Sequence, residues 1–208
     1  MNILHIDSGI LGEHSVSRGL TASIAARLTA QRADAQLIYR DLVAAPLAHL
    51  SGAHLAAAVA GPETLDATLA AELDAGSAAL EEFLAADIVV IGAPMYNFAI
   101  PTQLKTWIDR ILVAGKTFRY TENGVDGLAK GKKIIIASTR GGHYSKGSPI
   151  SAMDHQETYL ATVLGFIGIT DIEFIRAEGL ALGADAKQAA ILDAEQSIAN
   201  RAEFAAAA

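Results

Sequence analysis

Asp87–Pro101 reads DIVVIGAPMYNFAIP. Four consecutive apolar residues, Ile88–Ile91, lead into Gly92-Ala93-Pro94 and then Met95-Tyr96-Asn97-Phe98, and Pro101 opens a helical pattern. An unbroken Val/Ile run predicts a parallel strand covered by helices on both faces. The loop after it carries aromatic and amide groups and no charge. In open α/β sheets, ligands sit just beyond the carboxyl ends of the strands. This loop therefore stands where a ligand would, and its residue types suit a flat, uncharged heteroaromatic ring better than a phosphate.

Working outward, the same kind of run recurs. Met1–Ile6 reads as the first strand, and Leu37–Leu42 is a more polar run suited to a sheet edge. Ile134–Ala137 reads as buried on both faces, while Ile172–Ile175 alternates as a second edge strand would. Helical periodicity lies between the runs. Ser17–Gln31 places Leu20, Ile24 and Leu28 on one face, and Thr102–Leu112 does the same with Leu104, Trp107, Ile108 and Ile111. His155–Ile167 and Ala184–Phe204 complete the set. Strands alternating with helices predict one doubly wound α/β domain over residues 1–208, with a five-stranded parallel sheet and right-handed crossovers.

Two segments are longer than the fold needs. Pro46–Glu82 predicts two helices, broken at Gly61-Pro62, with Ser77 as a cap. Gly115–Gly131 is an excursion in which Asn123-Gly124 signals a turn. Ala205–Ala208 reads as a frayed end or surface helix and carries no chemistry.

The composition excludes several function classes. Hydrophobic residues make up 51% of the 208 and charged residues 19%, enough apolar material for a filled core. The net charge of −7 with no basic face argues against nucleic acid as a partner. The absence of cysteine excludes disulfides, iron–sulfur clusters and thiol nucleophiles. No run approaches the roughly 20 apolar residues of a membrane span, and Met1–Asp7 lacks a secretory pattern. A cytoplasmic protein is the expectation. The six histidines form no ligand pair at metal-site spacing, and no G-x-S-x-G nucleophile elbow occurs.

The first strand runs into Asp7-Ser8-Gly9-Ile10-Leu11-Gly12-Glu13-His14-Ser15-Val16-Ser17-Arg18. Glycines and hydroxyls ahead of a helix N-terminus outline an anion site, because the first helical N–H groups are unpaired and partly positive. An ordinary serine cap is the competing reading. G-x-x-x-x-G-K-[ST] and G-x-G-x-x-G are both missing, which disfavours a nucleotide triphosphatase and a dinucleotide fold. Arg18 is the one nearby cation that is always charged. At the other end, Pro94–Phe98 and Thr139-Arg140-Gly141-Gly142-His143-Tyr144 follow two strands. Paired glycines let backbone N–H approach a ligand closely, and Asn97 can both donate and accept along a pyrimidine-like edge.

Read together, Ala93–Phe98 (A-P-M-Y-N-F), Ile100–Asp109 (I-P-x-x-L-K-x-W-I-D), Ser138–Gly142 (S-T-R-G-G) and the opening Asp7–Ser17 make the chain resemble the FMN-dependent NADH-azoreductase and NADH:quinone oxidoreductase family. The likeness spans essentially the full length. It implies a flavodoxin-like doubly wound sheet of order 2-1-3-4-5, with FMN at the switch point of the strand order. It further implies two-electron, ping-pong hydride transfer from NADH to azo compounds or quinones, in a homodimer with the active site at its interface. In the family pattern, Pro94, Met95, Tyr96, Asn97 and Phe98 line the isoalloxazine, and Thr139, Arg140, Gly141, Gly142 and Tyr144 take its other edge. Ser15, Val16 and Ser17 hold the phosphate, and Gly9 stands where many relatives carry serine, leaving only backbone contact there. Phe118 and Tyr120 are candidates for completing the site across the dimer. No catalytic side chain and no metal are implied. A flavodoxin-type electron carrier on the same fold is the alternative, and the two long segments favour a small-molecule pocket over it.

Overall fold

The computed structural model describes residues 1–60 and 66–201. Its main sheet is built from β1 (Asn2–Asp7), β2 (Gln36–Asp41), β3 (Ile88–Pro94), β6 (Lys133–Thr139) and β7 (Asp171–Ala177). All neighbours are parallel, in the order β2-β1-β3-β6-β7. Counting only these five strands, that is the predicted 2-1-3-4-5. A separate hairpin pairs β4 (Phe118–Thr121) with β5 (Gly124–Gly127), and Asn123 precedes the positive-φ Gly124 at its turn.

The strand β3 is buried along its whole length, and β1 and β6 at all but their first residue, because each face has its own core. From β3, Val89, Ile91 and Ala93 point to one side, and from β6, Ile134 and Ile136 do the same. They pack on α3 (Ala67–Ala85), α4 (Thr102–Ile111) and α5 (Glu157–Phe166). Ile88, Val90, Ile135 and Ala137 point to the other side, against α1 (Val16–Ala30) and α6 (Ala184–Asn200). The alternation was hidden in the sequence because both faces want apolar side chains.

The long Pro46–Glu82 segment does hold two helices, α2 (Gly52–Ala60) and α3. The Gly61-Pro62 break lies outside the described residues, as does Ala205–Ala208. Ser77 caps nothing, since it sits within α3, and the cap is Asp66, whose Oδ1 accepts from the N–H groups of Thr68 and Leu69 at 2.9 Å each. At the other end of α3, Lys132 donates from Nζ to the carbonyls of Leu84 (2.7 Å) and Ala86 (2.6 Å), closing off the helix C-terminus. Asp66→Ala should lower stability by about 1 kcal/mol, as lost N-caps do, measured as a shift in the urea midpoint with an unchanged slope.

Strand register aligns the tips that matter. Asp7 of β1 lies beside Gly92 of β3, and Pro94 of β3 lies beside Thr139 of β6. Three loops therefore leave the sheet side by side.

Candidate functional site

The loop after β1 arrives at α1 with its donors free. Ser15 occupies the N-cap position in extended conformation, yet its side chain makes no capping bond. Its hydroxyl instead meets the Ser17 hydroxyl at 3.0 Å, with both residues buried. The ordinary-cap reading therefore fails at Ser15, and the first N–H groups of a 15-residue helix are left without side-chain partners. Gly9 lies directly against this pair. A Cβ there would fall on the Ser15 hydroxyl and 3.1 Å from the Ser17 hydroxyl, so the missing side chain leaves a notch at the start of α1 that the two hydroxyls line.

Arg18 turns away from the notch. Its two terminal nitrogens grip the Asp41 carboxylate at 2.7 Å each, and Nε donates to the Gly9 carbonyl at 2.9 Å. This ion pair holds the Asp41 carboxyl down to about 2. Arg18 thus fixes the loop and leaves anion binding to neutral donors. Asp7, the other acid here, is buried among Thr21 (2.8 Å), Tyr39 (3.0 Å) and His5 (3.5 Å). Burial pushes its carboxyl upward, but the His5 contact and the Thr21 and Tyr39 hydroxyls outweigh that and hold it below the usual range. An Asp so engaged is a structural anchor.

The loop after β3 is a tight turn. Tyr96 and Ala99 exchange both backbone hydrogen bonds (2.9 and 3.1 Å), and the two residues between them, Asn97 and Phe98, sit at φ +49° and +71°. Positive φ at both central positions is the pattern of a type I′ turn. Asparagine tolerates it, but a phenylalanine there is strained by roughly 1–2 kcal/mol. The turn leaves Phe98 41% exposed at the tip, where its ring meets Tyr144 of the next loop edge-on at 6.3 Å between centroids. The Tyr96 hydroxyl accepts from the N–H of Ile10 at 3.1 Å and so ties this loop to the one after β1. The Met95 N–H is spent on the Thr139 carbonyl at 2.8 Å.

After β6, Thr139 is buried, and the carbonyls of Arg140, Gly141 and Gly142 accept from Leu180, Ala181 and Gly179 (3.1, 3.0 and 3.0 Å). Their carbonyls thus face the β7–α6 connection. The N–H groups of Gly141 and Gly142 have no acceptor among the described residues. These two unpaired donors, next to Phe98 and Tyr144, fit the carbonyl edge of a flavin ring, and the notch at α1 fits its phosphate. Arg140 is the exception among the predicted site residues. Its side chain is fully buried and runs behind the loop to Gln156 Oε1 (3.0 Å), Glu178 (3.1 Å), Asp154 (3.1 Å) and Glu157. Its guanidinium faces away from the strand tips, so only its backbone belongs to the ring loop. Gln156, Asp154, Glu157 and Glu178 were not anticipated, because nothing in their local sequence reveals a partner 14 to 38 residues away.

Three loops thus converge on one patch at the strand tips. A family model described as flavodoxin-like fold matches residues 1–202. An FMN-dependent NADH:quinone oxidoreductase of Rhizobium meliloti (strain 1021) is 67% identical over 199 residues, covering 96% of both chains. The chain belongs to this family. A protein of the same name from Sinorhizobium fredii is 66% identical over 96% of both chains. An azoreductase crystal structure from Bacillus anthracis str. Sterne superposes with a TM-score of 0.84 at 30% identity, covering 96% of this chain and 97% of that one.

Proposed function

We propose that this chain is an FMN-dependent oxidoreductase that takes two electrons from NADH and passes them to quinones or azo compounds. The observation that carries the reading is the alignment of three strand tips, each offering a different part of the cofactor its match. Ser15, Ser17 and the start of α1 take the phosphate. Met95, Tyr96, Asn97 and Phe98 lie along the ring. The Gly141 and Gly142 N–H groups would serve its carbonyl edge, as fixed donors able to stabilise negative charge there. Bound FMN supplies the electron chemistry, and the protein supplies position and electrostatics. No carboxylate or histidine is needed as acid or base.

Two further elements of the reading concern assembly and place. Tyr120, on the β4–β5 hairpin, is 74% exposed with its ring against Phe118. A mostly apolar cleft of about 580 Å3 lined by Ala99, Ile100, Lys105, His155 and Tyr159 adjoins the Phe98 turn. Both suit a second copy of the chain, as a homodimer with its active sites at the interface. No helix among the described residues is long and apolar enough to cross a membrane, and we place the enzyme in the cytoplasm.

The test is spectroscopic. Under anaerobic conditions NADH should bleach the flavin band within the mixing time of a cuvette experiment, and a quinone should restore it. A flavodoxin-type carrier would hold its colour against NADH. Ser17→Ala should weaken FMN binding by about 1–3 kcal/mol, the range for a hydrogen bond to a charged group, and leave riboflavin, which lacks the phosphate, unaffected. An unchanged FMN dissociation constant would remove Ser17 from the phosphate site.

A further inference from the structure

Behind the two ring loops lies a buried polar cluster that the proposed chemistry does not use. Glu178 follows the last residue of β7 directly and is mostly buried. One of its oxygens accepts from the N–H of Tyr144 (2.7 Å) and the N–H of Ser145 (3.0 Å), and the other from the Ser145 hydroxyl (2.5 Å). It also receives Arg140 at 3.1 Å. Arg140 in turn donates from Nε to Gln156 Oε1, and Gln156 donates from Nε2 to the Ala93 carbonyl at 2.5 Å. Ala93 is one residue before Pro94 and the Met95–Phe98 loop. The chain of contacts Ser145–Glu178–Arg140–Gln156–Ala93 therefore joins the roots of both ring loops, with Arg140, Gln156 and Ala93 buried and Glu178 and Ser145 partly so.

We propose that Glu178 is a positioning residue for the flavin ring. It pins the Tyr144–Ser145 end of the glycine loop and, through Arg140 and Gln156, sets the spacing between that loop and the Phe98 turn. The inference rests on the FMN reading above. The carboxylate is suited to this in a way an amide is not. It accepts four hydrogen bonds from three residues, all of them donors. A glutamine would keep one oxygen for the Tyr144 and Ser145 N–H groups, but it would remove the charge that matches Arg140 and place an NH2 where the Ser145 hydroxyl now finds its acceptor. With the charge-assisted bonds to Tyr144, Ser145 and Arg140 weakened, the Tyr144 end of the loop loses its hold on this position. The neighbouring acids Asp154 and Glu157 reach Arg140 but touch neither ring loop through a backbone N–H.

The test separates the ring from the phosphate. FMN and riboflavin are titrated separately into the flavin-stripped full-length protein and its Glu178→Gln and Glu178→Asp variants, with far-UV circular dichroism confirming the fold. Glu178→Gln should weaken both flavins by about tenfold or more and by the same factor, the scale of one or two charge-assisted hydrogen bonds lost. Glu178→Asp, which keeps the charge on a shorter arm, should fall between it and the wild type. The pattern contrasts with Ser17→Ala, which moves FMN alone. Equal affinities in wild type and Glu178→Gln, or a loss confined to FMN, would overturn the proposal while leaving the FMN reading intact. A wild type that binds neither flavin would overturn the FMN reading itself. Should Glu178→Gln not fold, amide hydrogen exchange in the wild type decides. Slow exchange at Tyr144 and Ser145 supports the pin, and exchange at the rate of an open surface loop refutes it.

Discussion

Gly142→Val is expected to yield a folded protein that purifies with less of its flavin. A Cβ at position 142 would lie 3.3 Å from the Tyr144 ring, closer than most such contacts. Valine adds two further methyl groups around that point. They either push the Tyr144 ring out of its edge-on contact with Phe98 or occupy the space in front of the Gly142 N–H. Overpacking of this kind costs about 1–3 kcal/mol, which corresponds to a weakening of roughly 5- to 150-fold in FMN affinity. Gly142 lies beyond the end of β6, outside both apolar cores, so the flavin-free protein should still fold cooperatively, with any strain against Tyr144 showing as a loss of no more than about 1–3 kcal/mol in urea unfolding. The measurement is the flavin-to-protein absorbance ratio after purification, followed by titration. Full flavin content in the variant would show that the ring does not approach this glycine.

Trp107→Ala should damage the fold itself. Trp107 is fully buried at the centre of the core formed by α3, α4 and one sheet face, and its ring meets Phe83 edge-on at 5.7 Å. Truncating a buried tryptophan costs about 3–5 kcal/mol through lost burial and the cavity left behind, a large share of the 5–15 kcal/mol that holds a typical domain together. Its indole N–H has no hydrogen-bond partner among the described residues. Trp107→Phe therefore gives up less: the smaller ring keeps most of the apolar contact and removes the unsatisfied donor. Denaturant unfolding should rank wild type and Trp107→Phe close together, with Trp107→Ala far below. Equal midpoints for all three would mean that the α3–α4 core is not where the stability resides.

How much of this was legible in the sequence depends on the range of the interaction. The strands and four of the helices could be read because their signals are local: unbroken apolar runs at Ile88–Ile91 and Ile134–Ala137, and helical spacing at Leu20, Ile24 and Leu28. The strand order came with the family likeness, and the pairing of β1 with both β2 and β3 bears it out. Boundaries moved by a few residues, as when β3 continued through Gly92 to Pro94. The cap of α3 was misplaced because Asp66 and Ser77 are both plausible capping types, and the choice depends on where the helix packs against α4. In the site, the loops could be found and the side-chain directions could not. Arg140 sits in a ligand-like motif, yet its guanidinium is claimed by three acids from later in the chain. Arg18 is the one always-charged cation near the phosphate loop, and its direction was not legible: Asp41 from the neighbouring strand takes it. Both outcomes follow from long-range charge pairing, which no local pattern encodes. The left-handed turn at Asn97-Phe98 was equally hidden, because phenylalanine at positive φ runs against its own preference.

The central claim is that three strand tips hold one FMN per chain by its ring and its phosphate together. Fluorescence titration of the flavin-stripped protein tests it most directly, with FMN and riboflavin measured side by side. The account predicts quenching that saturates at one FMN per chain, with riboflavin binding to the same site more weakly because the notch at Ser15 and Ser17 goes unused. No saturable quenching with FMN, or equal affinity for the two flavins, would contradict it.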